Sequence, residues 1–211
     1  MPFTVIAISR TLGAGGEDLG EMLADKLGFR YVDGEIIDRA AALSHVNAAE
    51  IAVVEKRKGL LGRILENMAM ASGGSVAASG MPEPVMLEAF GPGYEQVIID
   101  VIRETADMGA VVIVAHGASI PLSGREDVLR IMVTASEDSR AKRIALNEDV
   151  APAKALSMIH ESDKARADYF RRFYHLGHEL PTNYDLLINT DTLDVSHAAA
   201  AVLGVVGIAG D

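Results

Sequence analysis

The chain of 211 residues contains no cysteine. That absence excludes a disulfide framework, a thiolate zinc centre and a cysteine nucleophile. Basic residues are also short: 19 lysines and arginines against 30 acids leave a formal net charge of −11. A chain of that sign lacks the basic face of a general nucleic-acid binder, although a few local arginines can still hold a small phosphate ligand. No charged-then-apolar opening resembles a signal peptide. The apolar tail from Ala198 to Ala209 is too short to span a bilayer. The expectation is a cytoplasmic protein with neither membrane nor nucleic acid among its partners. The composition that remains, 49% hydrophobic and 23% charged, is that of a single globular domain able to form its core without metal or disulfide help.

The start of the chain carries the most information. Phe3-Thr-Val-Ile-Ala-Ile-Ser9 is a β-branched apolar run that reads as a buried strand. Gly13-Ala14-Gly15-Gly16-Glu17-Asp18 follows, and then Leu19, Met22, Leu23 and Leu27 recur at helical spacing before Gly28. Strand, glycine loop and helix together aim backbone N–H groups and a positive dipole end at an anion. The lysine-bearing phosphate loop has the form G-x-x-x-x-G-K-[ST]. Aligned on Gly15, this chain places Arg10 at the first glycine, Gly16 at the lysine and Glu17 at the hydroxyl residue. A structural turn in an α/β protein accounts for the glycines equally well, whereas the G-x-G-x-x-G spacing of a dinucleotide fold is not met.

Further along, strands are predicted at Phe29–Asp33, Ala110–Ala115, Val128–Ala135 and Asp185–Asn189. Helices are predicted from Gly34 to Leu43, over Ala48–Ala71, over Tyr94–Met108 up to Gly109, on either side of the Asp149–Pro152 break, and over Val195–Leu203. Ser72 to Gly80, followed by Pro82 and Pro84, has the composition of a loop. Alternating strands and helices predict an α/β fold. Its sheet would be parallel, of about five strands, with helices on both faces and a helical insertion at about 44–92. Met68, Met70, Met81 and Met86 bracket the glycine-rich stretch and suit a packed helix pair or an oligomer interface.

Tyr31-Val-Asp33-Gly-Glu-Ile-Ile-Asp-Arg39 is similar in order and spacing to the second strand and following helix of bacterial cytidylate kinases. Asp163-Lys-Ala-Arg166-Ala-Asp168-Tyr-Phe-Arg171-Arg172 resembles that family's lid. Ile8-Ser9-Arg10, the glycine loop, Arg166 to Tyr169, and Asn183-Tyr-Asp-Leu with Ile188-Asn-Thr190 resemble the divergent cytidylate kinase-like group. The likeness spans nearly the whole chain and is weakest from about Ala48 to Pro92.

The resemblance implies a P-loop nucleoside-monophosphate-kinase fold in one domain over 1–211, with the lid near 150–180. It also implies ATP as donor, Mg2+, and a CMP-like or related small acceptor. Arg10, Arg166 and Arg171 would then be catalytic cations. Gly13, Ala14, Gly15, Gly16, Glu17, Asp18 and Arg172 would bind nucleotide phosphate, and Asp33, Arg39 and His116 would hold the acceptor. Glu17 is the one candidate magnesium ligand. It would otherwise be an ordinary first-turn acid, and Asp33 would otherwise cap the next helix. His116 stands where that family carries arginine, and a role as a satisfied polar residue at a strand end fits it as well. His175 and His178, three apart, suit metal ligation only if the helix continues through Gly177. Two other classes remain: a kinase-like protein that binds nucleotide or another anion for regulation, and an assembly protein using the Met-rich insertion.

Overall fold

A computed structural model describes residues 2–36, 39–40, 94–114 and 117–207. The chain divides into two compact units, Met1–Asp33 with Ile102–Asp211, and Gly34–Val101. The predicted insertion at 44–92, its methionines and His116 lie outside the described residues.

The first unit is built on five strands: β1 (Val5–Arg10), β2 (Arg30–Val32), β3 (Val111–Val114), β4 (Val128–Thr134) and β5 (Leu186–Asn189). They pair in the order β2-β3-β1-β4-β5, and every pairing is parallel. Ile8 of β1 sits between Val114 and Ile131, which fixes the register of the three central strands. The described helices are α1 (Gly16–Leu27), α2 (Tyr94–Asp107), α3 (Glu137–Asn147), α4 (Pro152–Tyr174) and α5 (Val195–Val206). Helices cover both faces of the sheet, the expected α/β architecture. This is why β1 as far as Ile8, and the whole of β3, are unbroken apolar runs: neither face of a central parallel strand meets water.

On one face, Ile6, Ile8, Val112, Val114 and Ile131 pack against Leu19 and Leu23 of α1 and Ala198 and Val202 of α5. A second cluster, Ala141, Ile144, Ala155 and Ile159, joins α3 to α4 and takes in Leu12 from the glycine loop. The predicted ends of the described elements hold to within a few residues, and the predicted helix end at Leu43 lies outside the described residues. The last helix runs past Leu203 to Gly207, which ends it in the left-handed region at φ 86°. β5 starts at Leu186 because the Asp185 carboxylate is turned to the backbone N–H and guanidinium of Arg130. Those bonds hold the Asp185 carboxyl below its ordinary pKa. Among the described residues, no helix is long and apolar enough to cross a membrane.

The seat of α1 on the sheet depends on Gly20. A Cβ there would lie 2.5 Å from Val114 Cγ2 and 3.0 Å from the Tyr31 ring. Gly204 of α5 faces open space. Overpacking costs about 1–3 kcal/mol, whereas an exposed helical Gly→Ala change gains about 1 kcal/mol. Gly20→Ala is therefore expected to lower the urea unfolding midpoint and Gly204→Ala to raise it.

Candidate phosphate-binding site

In a parallel sheet the loops that follow the carboxyl ends of the strands share one edge, where ligands of open α/β folds bind. Here that edge gathers the glycine loop after β1, Asp33 after β2, Ser136 after β4 and Thr190 after β5. The loop begins as an extension of the sheet, with Thr11 N–H donating to Val133 O, and then turns through Ala14 N–H donating to Thr11 O. Gly13 and Gly15 have φ of 77° and 79°, a region that side chains with a Cβ resist. Gly15 is the N-cap of α1, and no side chain caps the helix. Gly16 opens the helix as a glycine for a different reason: a Cβ there would fall 2.6 Å from Arg10 Cβ. The arginine stem thus lies against the loop at the position where a phosphate loop carries lysine.

The carbonyl groups of the loop are tied from behind. Arg166 Nη1 donates to Arg10 O at 2.9 Å, and Arg140 Nε to Leu12 O at 2.7 Å. Arg143 Nη1 donates to Gly13 O at 3.2 Å, and Thr190 Oγ1 to Ala14 O at 2.8 Å. Thr190 Oγ1 in turn accepts from Arg143 Nη1 at 2.9 Å, and Thr190 O accepts from Arg143 Nη2. Three arginines and a threonine, drawn from α3, α4 and the end of β5, therefore hold the carbonyls of Arg10, Leu12, Gly13 and Ala14.

Two of those arginines are themselves fixed by carboxylates. Arg140, almost fully buried, forms a fork to Asp163 at 2.9 and 2.7 Å. Arg166 forms a fork to Glu179 at 2.7 Å on each oxygen and lies 4.7 Å from the centre of the Phe170 ring. Tyr184 O–H donates to the same Glu179 carboxylate. Burial above all, then that contact, pushes the Tyr184 phenol up from its usual pKa. Such bidentate guanidinium–carboxylate pairs fix geometry as well as energy.

The arrangement changes what the sequence-nominated cations can do. Arg10 Nε is in ion contact with the Glu17 carboxylate, yet it is buried without the alignment of a hydrogen bond. Arg171 is exposed and paired with Asp168 one turn earlier, and Arg172 is also exposed. Asp33 is half-buried at the end of β2. Its charge, with those of Glu17 and Glu21, adds to the burial that raises the Tyr31 phenol pKa. Arg39 is half-buried in the other compact unit. Asp18 is exposed on the first turn of α1. His175 ends α4 in the left-handed region at φ 54°, so it does not share a helical face with His178. No trio of metal-ligating side chains occurs among the described residues.

The C-terminal end of α4 is anchored by aromatic side chains. Tyr169, Phe170 and Phe173 are buried there, with Tyr169 and Phe173 stacked 4.1 Å apart. A Cβ on Gly117 would meet Phe170 and Tyr174 at 2.9 Å. Beside the loop, a cavity of about 290 Å³ is lined by Thr11, Asp163, Arg166, Phe170, His178 and Glu179. Thr11 Oγ1 is buried there without a hydrogen-bond partner among the described residues.

Arg140, Arg143 and Glu179 lie in no phosphate motif and Thr190 only at the end of the Ile188-Asn-Thr190 match, because groups that touch the loop and not the phosphate leave no local motif. Arg140 and Arg143, three apart beside Ile144, did carry a signal: two cations on the apolar side of a helix in an acidic chain. Nothing in the sequence pairs them with backbone oxygens some 130 residues away.

The sequence model of the cytidylate kinase-like family matches residues 5–192. Cytidylate kinases of Methanothrix thermoacetophila and Methanocorpusculum labreanum are 27% and 24% identical over 203 and 197 residues. The alignments cover 94% and 93% of this chain and 97% and 93% of theirs. An uncharacterized protein from Eubacterium ventriosum shares the fold with a TM-score of 0.63 at 18% identity, over 96% of this chain and 98% of that one. A strand-terminal glycine loop on a 2-3-1-4-5 parallel sheet and a family match over most of the length agree: the chain belongs to the cytidylate kinase-like family.

Proposed function

We propose that this protein catalyses ATP-dependent phosphoryl transfer to a nucleoside monophosphate such as CMP, or to a related small acceptor. The observation that carries the reading is the glycine loop at the uncapped start of α1, its carbonyls tied away by Arg166, Arg140, Arg143 and Thr190. A loop of that kind presents backbone N–H groups and a helix dipole to an anion. The CMP acceptor is supported by the names of the relatives, and the phosphoryl donor by the family.

Phosphoryl transfer asks for position and positive charge more than for covalent chemistry. In this reading the amides of Gly13 and of Gly15 to Asp18 cradle the donor phosphates, and Ala14, whose own N–H is bonded to Thr11 O, shapes the loop between them. Arg10, lying over Gly16, supplies the charge that lysine supplies in the usual loop. Arginine binds phosphate through a planar fork, so the replacement changes the geometry and keeps the charge. Arg166, with Arg171 and Arg172 at the end of α4, provides the lid cations. Asp33, Arg39 and His116 belong to the acceptor side. Magnesium takes one or two carboxylates and completes its shell with water and phosphate oxygens. Glu17 offers one such carboxylate at the loop, so the residues present fit the ion, which would offset phosphate charge there. The Glu17 carboxylate has a second task, holding the Arg10 guanidinium against the loop.

A specific observation favours a second reading, a kinase-like protein that binds nucleotide without efficient turnover. Arg10, Arg166 and Arg171 each lie against a carboxylate: Glu17, Glu179 and Asp168. Cations so neutralised attract phosphate less strongly. Incubation with radiolabelled ATP, magnesium and a panel of nucleoside monophosphates separates the two. Labelled diphosphate formed from CMP is the expected result, and nucleotide-induced thermal stabilisation without any product supports the second reading.

Glu17 gives a sharper test. If its carboxylate holds magnesium, Glu17→Gln weakens magnesium-dependent ATP binding on the order of tenfold, about 1.4 kcal/mol. Affinity that instead rises both with and without magnesium shows an unscreened like charge at the phosphate and removes the catalytic role. Calorimetric titration of ATP, with and without magnesium, reads both outcomes.

A further inference from the structure

A trans peptide fixes a carbonyl and the next residue's N–H in opposite directions. Holding a loop carbonyl on one side therefore aims the following N–H to the other. In this loop three held carbonyls give two kinds of result. Arg143 holds Gly13 O, and the N–H that follows, Ala14, is already bonded to Thr11 O inside the turn. Arg140 holds Leu12 O, which sets Gly13 N–H. Thr190 holds Ala14 O, which sets Gly15 N–H. Neither Gly13 N–H nor Gly15 N–H donates to a backbone or side-chain acceptor among the described residues.

We propose that Thr190 and Arg140 are positioning residues for anion binding, acting through the peptide planes of the glycine loop. Their carbonyl bonds turn the N–H groups of Gly15 and Gly13 outward as a pair. The proposal rests on the reading of the loop as a phosphate site and adds to it which side chains give the loop its shape. Both positioning groups are buried: Thr190 is 4% exposed and Arg140 is 4% exposed. Glycine needs such support more than other residues do, because a Gly-Ala-Gly-Gly segment left alone samples many rotations of each peptide plane. Each positioning group is itself held. Arg143 donates to Thr190 Oγ1, so the one hydroxyl hydrogen points to an acceptor, Ala14 O at 2.8 Å ahead of Thr134 O at 3.3 Å, and Asp163 fixes the Arg140 fork. The bonds come from α3 and from the end of β5, so two elements distant in sequence act on one loop.

Thr190→Val keeps the shape of the side chain and removes the donor to Ala14 O, whereas Thr190→Ser keeps the donor. Both are compared with the unaltered protein for binding of magnesium–ATP, inorganic tripolyphosphate and CMP by calorimetry, and for urea unfolding midpoint. The expected result for Thr190→Val is affinity for ATP and tripolyphosphate lower by about tenfold, with CMP affinity unchanged within twofold. Thr190→Ser restores the loss. Unchanged ATP and tripolyphosphate affinity in Thr190→Val overturns the proposal. Equal losses for ATP, tripolyphosphate and CMP overturn it too, since they mark a general loosening of the fold. Should Thr190→Val fail to fold, Arg140→Lys takes its place, because it keeps the charge and loses the fork. An unaltered protein that binds tripolyphosphate but not ATP defeats the nucleotide reading and leaves the positioning proposal to be judged on tripolyphosphate. One that binds neither defeats both.

Discussion

The structure of the site depends on one constraint: the carbonyl oxygens of a glycine loop must find donors behind it before its N–H groups can serve anything in front. A buried peptide carbonyl without a donor costs more than a hydrogen bond returns. Four donors from outside the loop meet this demand, and each comes from an element that the sheet order places nearby. β4 sits beside β1, which brings the start of α3 to the loop. β5 sits beside β4, which brings Thr190. The 2-3-1-4-5 order is thus the condition under which residues 10–14 can be held by residues 140, 143, 166 and 190.

Charge follows the same logic. A chain with net charge −11 places arginines against the loop and sets carboxylates beside them: Asp163 on Arg140, Glu179 on Arg166, Glu17 on Arg10. The first two pairs orient guanidinium groups that face backbone oxygen, and the charges are balanced inside the structure. The third lies at the loop position where a phosphate loop carries lysine. Under the proposed function Arg10 and Glu17 together set the charge an incoming phosphate meets, and both readings of the function turn on that pair.

Much of the fold was legible in the sequence because burial leaves a periodic record. The runs at Val5–Ile8 and Val111–Val114 are apolar throughout since both faces are covered, and Gly28 and Gly109 stand at helix ends with left-handed backbone. The glycine loop was legible for a related reason, as Gly13, Gly15 and Gly16 each answer to a backbone angle or a close approach. The pairing of side chains was not. Arg166 is a candidate phosphate cation by sequence, and its place between Glu179, Arg10 O and the Phe170 ring has no local signal. Glu179 belongs to no local pattern and Thr190 only ends the Ile188-Asn-Thr190 match, and the partners of both are set by tertiary contact and not by spacing. His116 and the stretch 44–92, where acceptor contacts were sought, lie outside the described residues.

The central claim is that the free amides of the loop are the anion site. Proton–nitrogen correlation spectra of the labelled protein, recorded while magnesium–ATP or tripolyphosphate is added, test it most directly. The account predicts saturable shifts at the Gly13, Gly15, Gly16 and Glu17 amides, with Ala14 moving less because its N–H is already bonded to Thr11. Saturable shifts elsewhere, with those four amides unmoved, would contradict it.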